Sequence, residues 1–262
     1  MTQSSVAVSV DMEQWVLLNA SPDIGKQLMA TQQLHPRALR DTPIHAVVLT
    51  NGDIDHITGL LTLREKTGFE VWATQSGLDI LETNPVFGVL DSNLVSRSQL
   101  SLDVPVEIAP GLVLTAFAVP GKVALFLEEE SSLDLKATGE QTVGLILESN
   151  SGRMAYIPGC ADIPDWFLDR MGDVDMLLFD GTVWDDDDMH RTGAGRKTGV
   201  RMGHIAINGP QGSLARLAPL DCRKILIHVN NTNPILQPAS AERSKAEQAG
   251  WEIAYDGMEV TL

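Results

Sequence analysis

The chain opens with two runs in which apolar and polar residues alternate, 5–10 and 15–19, separated by a polar turn over 11–14. A period of two marks half-buried strands, so this segment predicts a β-hairpin. Ser21 and Pro22 then suit the N-cap and first position of a helix over 24–33. Residues 45–50 form a continuous apolar run ending in Thr50, the pattern of a strand covered on both faces. That run leads straight into a polar loop over 51–59, after which a helix is expected over 60–66. A strand over 69–73 and a helix near 76–83 follow.

Between Leu100 and Leu127, β-branched and apolar residues broken at Pro105, Pro110-Gly111 and Pro120-Gly121 predict three strands joined by turns. Residues 142–148 and 153–157 read as a second hairpin around the turn 149–152. Further buried strands are expected over 174–179 and 224–229, helices over 165–171, 210–218 and 239–249, and a last strand over 252–255 before the tail 258–262. Strands interspersed with helices, without an internal repeat or a dividing linker, predict an α/β fold. It would be one layered domain over 1–262, sheets inside and helices outside. The acidic run Asp185–Asp188 and the Gly-rich stretch 193–203 share one long connection, the usual setting of a binding loop or lid.

Composition narrows the partners. The formal net charge is −16 over 262 residues, and no Lys/Arg cluster offsets it locally. Nucleic acid and anionic membrane surfaces are therefore disfavoured. No apolar run approaches the roughly 20 residues needed to span a bilayer, so no membrane insertion is expected. Two cysteines, Cys160 and Cys222, with no paired spacing, argue for a reducing compartment. With no basic and apolar leader at the N-terminus, a cytoplasmic location is expected.

The chemistry-bearing side chains gather just after the predicted buried strands. Asp53, Asp55 and His56 follow the strand ending at Thr50, Asp180 follows the strand over 175–179, and His228 ends the strand over 224–227, while His204 lies in the Gly-rich connection. In open α/β sheets this edge is where ligands bind. Three ionisable groups within four residues would repel and desolvate one another unless a divalent cation offset both costs. Mixed carboxylate and imidazole ligands suit Zn, Fe or Mn. The same residues have a plainer explanation: Asn51-Gly52-Asp53 is an ordinary turn sequence, Asp55 suits a helix cap, and His204 suits a satisfied loop histidine. In His228-Val229-Asn230-Asn231-Thr232-Asn233-Pro234 several polar side chains leave a buried strand together, which points to a site. Cys160 reads as a small buried hydrophobe rather than a ligand.

Asn51-Gly52-Asp53-Ile54-Asp55-His56 resembles the first metal motif of the metallo-β-lactamase superfamily, His-x-His-x-Asp-His. Asp55 and His56 match directly; Asn51 and Asp53 stand where the two earlier histidines would. Val119-Pro120-Gly121-Lys122 resembles that superfamily's Pro-Gly-His turn with Lys122 replacing the His, and Tyr156-Ile157-Pro158-Gly159-Cys160 its Gly-Asp strand end with Cys160 replacing the bridging Asp. The chain as a whole resembles a narrower family, pyrroloquinoline quinone biosynthesis protein B. This rests on Leu18-Asn19-Ala20-Ser21-Pro22-Asp23-Ile24, Leu49–His56, Leu178-Phe179-Asp180-Gly181-Thr182, Asp186-Asp187-Asp188-Met189, Arg201-Met202-Gly203-His204-Ile205 and the 228–234 segment.

The resemblance implies a metallo-β-lactamase-like αββα sandwich, two mixed sheets flanked by helices. It also implies that the chain starts after the family's first strand and Cys-rich structural zinc segment, leaving an unpaired sheet edge. The implied role is in making the redox cofactor pyrroloquinoline quinone (PQQ) from a Glu–Tyr-derived precursor. With much of the second metal's shell replaced, hydrolysis is not expected. One divalent metal, Fe(II) or alternatively Zn, would be held by Asp53, Asp55, His56 and His228, with Asp180 and His204 in or beside that set. The expected activity is iron-dependent hydroxylation of the tyrosine-derived ring; the alternative is a non-catalytic carrier helping PQQ or its precursor toward the periplasm. Lys122, Arg201, Asn230, Asn231 and Asn233 are candidates to bind the acidic substrate. Other proteins of the same pathway, and a second copy of this chain, are compatible partners.

Overall fold

The opening runs do form an antiparallel pair, β1 (Val6–Val8) and β2 (Trp15–Leu18), with Val6 opposite Leu18. They lie in a computed structural model that describes residues 1–127 and 138–262. Helix α1 (Ile24–Ala30) follows, then β3 (Ile44–Val48), the short helix α2 (Ile54–Ile57), β4 (Phe69–Ala73), α3 (Gln75–Thr83) and β5 (Val95–Gln99). Strands β1 to β5 make one mixed sheet in that order, antiparallel only between β1 and β2. The second half begins with β6 (Val106–Ala109), β7 (Leu112–Pro120), β8 (Thr138–Ser149) and β9 (Gly152–Ile157). It continues through α4 (Asp165–Arg170), β10 (Met176–Asp180), the single turns α5 (Asp188–Arg191), α6 (Gly199–Met202) and α7 (Ser213–Arg216), then β11 (Arg223–Ile227), α8 (Ala241–Gln248) and β12 (Trp251–Ile253). Its seven strands form a second mixed sheet, β12-β11-β10-β9-β8-β7-β6, parallel from β12 to β9 and antiparallel from there to β6.

Alternation along the strands divides the apolar side chains among three clusters. Val16, Leu18 and Val48 pack against Leu114, Leu145, Tyr156, Leu178 and Ile227 between the sheets. Leu17, Val47 and Val71 face the other way onto Ile24, Ile57 and Leu81, and Leu177, Phe179 and Leu226 face onto Phe167, Leu217 and Ala246. Helix–sheet–sheet–helix layering is the consequence, because every strand with two apolar faces must be covered on both. Among the described residues no helix is long and apolar enough to cross a membrane.

Several expected elements are redrawn. The helix anticipated over 60–66 starts earlier, at Ile54, and stops after one turn, continuing as a 3-10 turn over Thr58–Leu61. The segment is pinned to the end of β2 by Ala20 N–H donating to His56 O at 2.8 Å and Gly59 N–H donating to Ala20 O at 2.9 Å, which leaves no room for a longer helix. Residues 100–127 contain two strands rather than three, and β5 was not anticipated. The latter is an edge strand of polar side chains in which only Val95 is buried. The helix expected over 210–218 shrinks to α7, and β11 ends at Ile227 because His228 adopts a left-handed backbone (φ 53°). The long connection over 185–203 is built rather than open, through α5 and α6.

Gly59 is required where it sits. A Cβ there would lie 2.3 Å from the Ser21 carbonyl oxygen and 2.7 Å from that of Ala20, and backbone cannot yield as a flexible side chain would. Gly59→Ala should therefore destabilise the fold by about 2 kcal/mol, as overpacking does, read as a lower urea midpoint at unchanged slope.

Candidate metal centre

The two halves of the chain meet at one edge of the sandwich. Beyond β3 the chain runs Asn51 to His56, with α2 carrying Asp55 and His56 into the space between the sheet ends. From the other sheet, Asp180 ends β10 and His228 follows β11. The ends are held in place by buried polar contacts that the alternation pattern did not reveal. Asn19, at φ 61°, takes the Thr50 N–H on its side-chain oxygen at 2.9 Å, and its amide donates to Thr50 Oγ1 at 2.9 Å and to Tyr156 Oη at 3.4 Å. These bonds tie β2 and β3 to β9 of the other sheet.

His56 is only 2% exposed. Its Nδ1 lies 2.6 Å from Asn51 Oδ1, which also accepts the Asp53 N–H at 3.0 Å. The second bond fixes which end of the amide is the oxygen, so His56 Nδ1 must carry the proton and Nε2 the lone pair. That Nε2 is buried and makes no hydrogen bond. Asp55 and His228 complete a set whose ligand atoms all lie within 4.8 Å of one another. His228 Nε2 meets Asp55 Oδ2 at 3.0 Å, and the His56 and His228 rings meet edge-on at 5.1 Å. An orphaned imidazole nitrogen beside a carboxylate and a second imidazole is a donor set that fits one divalent cation.

The titration behaviour follows from this crowding. Burial would raise the Asp55 carboxyl, but the hydrogen bond from His228 and the neighbouring imidazoles outweigh it and hold the group well below the usual carboxylate range. Burial would likewise lower His228, yet the bond to Asp55 and the nearby carboxylates keep its imidazolium favoured and its pKa raised. His56 is dominated by burial and is pushed down to about 3.

The remaining sequence candidates fall into place unevenly. His204 is brought in beside the first set: its Nδ1 lies 2.8 Å from Asp180 Oδ2 and its ring stacks on that of His228 at 5.3 Å. Gly203, at φ 91°, ends α6 and turns the chain toward that position. Asp180, His204 and His228 form a second close set. However, Asp180, expected among the ligands, already accepts four hydrogen bonds, from Thr182 N–H and Oγ1–H on Oδ1 and from Cys160 N–H and His204 Nδ1–H on Oδ2. Asp53 belongs to neither set and faces Lys122 Nζ at 3.8 Å. Lys122 is buried, with its stem along Gly203. Arg201 lies on α6, two residues before Gly203.

Asn233 is corrected from substrate contact to loop anchor: it is 2% exposed, donates to Gly181 O at 2.8 Å and caps the turn at Ile235 N–H. Asn230 donates to Met189 Sδ and Asn231 is exposed. Cys160 is fully buried, its thiol pushed up by burial, and donates to Asp162 O, which matches an inert packing residue. The sequence reading missed Asn19, Tyr156 and Thr182 as site residues. Asn19 and Thr182 stood inside the matching sequence blocks, and their polar side chains next to buried strands were the available signal.

Residues 14–229 match the family described as beta-lactamase superfamily domain. The chain is 52% identical over 260 residues to coenzyme PQQ synthesis protein B of Ruegeria pomeroyi, covering 99% of this chain and 88% of the relative. It is 53% identical to the protein of that name from Methylorubrum populi, covering 100% and 88%. Among solved structures, Zn2+-bound PqqB from Methylobacterium extorquens superposes with a TM-score of 0.97 at 51% identity, covering 100% of this chain and 88% of that one. A diphosphatase of the PhnP family, at 18% identity and a TM-score of 0.69, shares the fold.

The buried, neutral His56 makes the cation-free protein acid-sensitive. The unfolded histidine takes a proton near pH 6.5 while the folded one resists to about 3, so the unfolded state binds more protons between these values. Stability should fall by up to ~1.4 kcal/mol per pH unit on acidification through that window. The stabilisation from the raised His228 pKa is fully present below 6.5 and adds no slope there, and the loss from Asp55 begins only below the ordinary carboxylate range. Urea unfolding of chelator-treated protein at pH 6.5 and 5.0 should show this slope, and His56→Gln should flatten it.

Proposed function

The chain belongs to the coenzyme PQQ synthesis protein B family within the beta-lactamase superfamily, and from that premise we propose that it acts in PQQ biosynthesis as a mononuclear, iron-dependent oxygenase. Its substrate on this reading is the tyrosine-derived ring of the Glu–Tyr-derived precursor. The observation that carries the proposal is the set Asp55, His56 and His228, two imidazoles and one carboxylate converging on one position. This is the ligand type of non-haem Fe(II) oxygenases, which leaves coordination positions open. Held there, iron supplies the O₂ chemistry that no side chain offers.

The residues standing where a second metal's ligands would be are engaged otherwise. Asn51 accepts from His56 Nδ1, Lys122 faces Asp53, and the Cys160 thiol is turned to a backbone carbonyl. On this reading those positions hold no second ion of the kind that clamps a hydroxide for hydrolysis. The zinc carried by the Methylobacterium extorquens relative supports a divalent cation here without choosing between zinc and iron.

Around the cation position the chain's own groups bind and orient. Asn51 holds the His56 ring in the tautomer that presents Nε2. Asp55 lowers the net charge of the centre. Lys122 and Arg201, with Asn230 and Asn231, are the candidates to receive the substrate's carboxylates. No observation favours the carrier reading, which remains an outcome of the test. Fe(II)-loaded protein given the precursor, O₂ and a two-electron reductant such as ascorbate should consume oxygen, placing one oxygen atom in the product and releasing the other as water. His56→Ala and His228→Ala should each cost at least ~100-fold in turnover, about 2.7 kcal/mol of barrier. Absence of turnover by iron-loaded protein, together with tight PQQ binding that survives both substitutions, would favour a carrier instead.

A further inference from the structure

Thr182 sits at the junction of Asp180, His204 and His228. It is 5% exposed, and its Oγ1 lies 2.6 Å from Asp180 Oδ1, 2.8 Å from His228 Nδ1, 3.1 Å from His204 Nδ1 and 3.0 Å from the His228 carbonyl oxygen. A hydroxyl has one proton to give and two lone pairs with which to accept. The shortest contact is to a carboxylate, which can only accept, so the Thr182 proton goes to Asp180. His204 Nδ1–H is directed to the other Asp180 oxygen at 2.8 Å. Thr182 Oγ1 is thereby left as an acceptor, and His228 Nδ1–H is its strongest donor.

That bond decides which nitrogen of His228 is available. With Nδ1 committed to Thr182, Nε2 is the nitrogen that faces Asp55 and the orphaned His56 Nε2. The hydroxyl also occupies the middle of the second close set, Asp180, His204 and His228, within about 3 Å of all three.

The surrounding backbone holds the hydroxyl where it is. Gly181 N–H donates to Ile227 O at 2.7 Å and Asn230 N–H to Thr182 O at 3.2 Å, while Asn233 donates to Gly181 O. A Cβ on Gly181 would lie 2.8 Å from Ile227 O, so β10 and β11 are clamped together at the point where Thr182 leaves the strand. His228 needs such a clamp, because its left-handed backbone (φ 53°) is unfavourable for an L-residue with a ring.

We propose that Thr182 is a positioning residue of the metal centre: its hydroxyl orients His228 so that Nε2 faces the cation, and locks the Asp180–His204 pair behind it. This rests on the reading that Asp55, His56 and His228 hold the cation. Partners of this kind affect metal affinity by about 10–100-fold when removed.

The test compares Thr182→Val, which keeps the shape and removes the hydroxyl, with Thr182→Ser, which keeps the hydroxyl. Zn2+ affinity is measured by chelator competition, and the visible spectrum of Co2+-loaded protein reports ligand geometry, which a purely structural role would not alter in folded protein. Thr182→Val should bind Zn2+ 10–100-fold more weakly with a changed Co2+ spectrum, and Thr182→Ser should restore both to within about threefold. Thr182→Ala serves in place of Val if the latter fails to fold. Unchanged affinity and spectrum in the folded Val or Ala variant would overturn the proposal, as would a Ser variant as weak as Val. His228→Ala, measured in parallel, separates the two levels. If it leaves Zn2+ affinity intact the ligand assignment itself fails; if it abolishes binding while Thr182→Val does not, only the role of Thr182 fails.

Discussion

Asp55 Oδ2 and His228 Nε2 approach to 3.0 Å although 173 residues separate them, and the rest of the site is arranged around that contact. One partner comes from the turn after β3 in the five-stranded sheet, the other from the end of β11 in the seven-stranded sheet. Their approach requires the two sheets to be stacked with these ends in register, which the shared core of Val16, Leu18 and Val48 against Tyr156, Leu178 and Ile227 achieves. It also requires both chain ends to be stopped abruptly, by the short α2 turn pinned to Ala20 on one side and the left-handed His228 on the other. In the absence of a cation, a proton between carboxylate and imidazole satisfies both groups, consistent with the raised His228 and lowered Asp55 pKa. A divalent ion would replace that proton with a stronger positive charge.

The positions that depart from the superfamily's metal motif carry other contacts. Asn51 has become the acceptor that sets the His56 tautomer, so a residue standing in a ligand's place now orients the neighbouring ligand. Lys122 brings a buried amine within 3.8 Å of Asp53 Oδ1. Cys160 has been turned into the core, and its N–H supports Asp180.

Much of this was legible in the chain. The apolar runs ending at Thr50, near Asp180 and before His228 marked buried strands, and ionisable residues directly beyond them marked the sheet edge where ligands gather. Asp55, His56 and His228 could be picked out one by one, and the local pattern Asn51 to His56 carried the family resemblance. Which of the candidates meet was not legible, because β3 and β11 lie in different sheets, and the approach of their ends depends on how the sheets stack rather than on local spacing. Asp180, expected in or beside the ligand set, stands with His204 and His228 and accepts the Cys160 and Thr182 N–H groups. Asn233 looked like a substrate contact and proves to be a turn anchor. Asn19, Tyr156 and Thr182 escaped notice for a common reason: an isolated polar side chain adjoining an apolar run has no periodicity to betray a buried hydrogen-bond network.

On the proposed reading one cation lies between the two sheet ends, held by Asp55, His56 Nε2 and His228 Nε2. Anomalous diffraction at the metal edge from crystals of iron- or zinc-loaded protein tests it most directly. A single peak is expected within bonding distance of those three atoms, with none between Asp53 and Lys122. A pair of adjacent peaks, or one peak lying away from His56 Nε2, would contradict it.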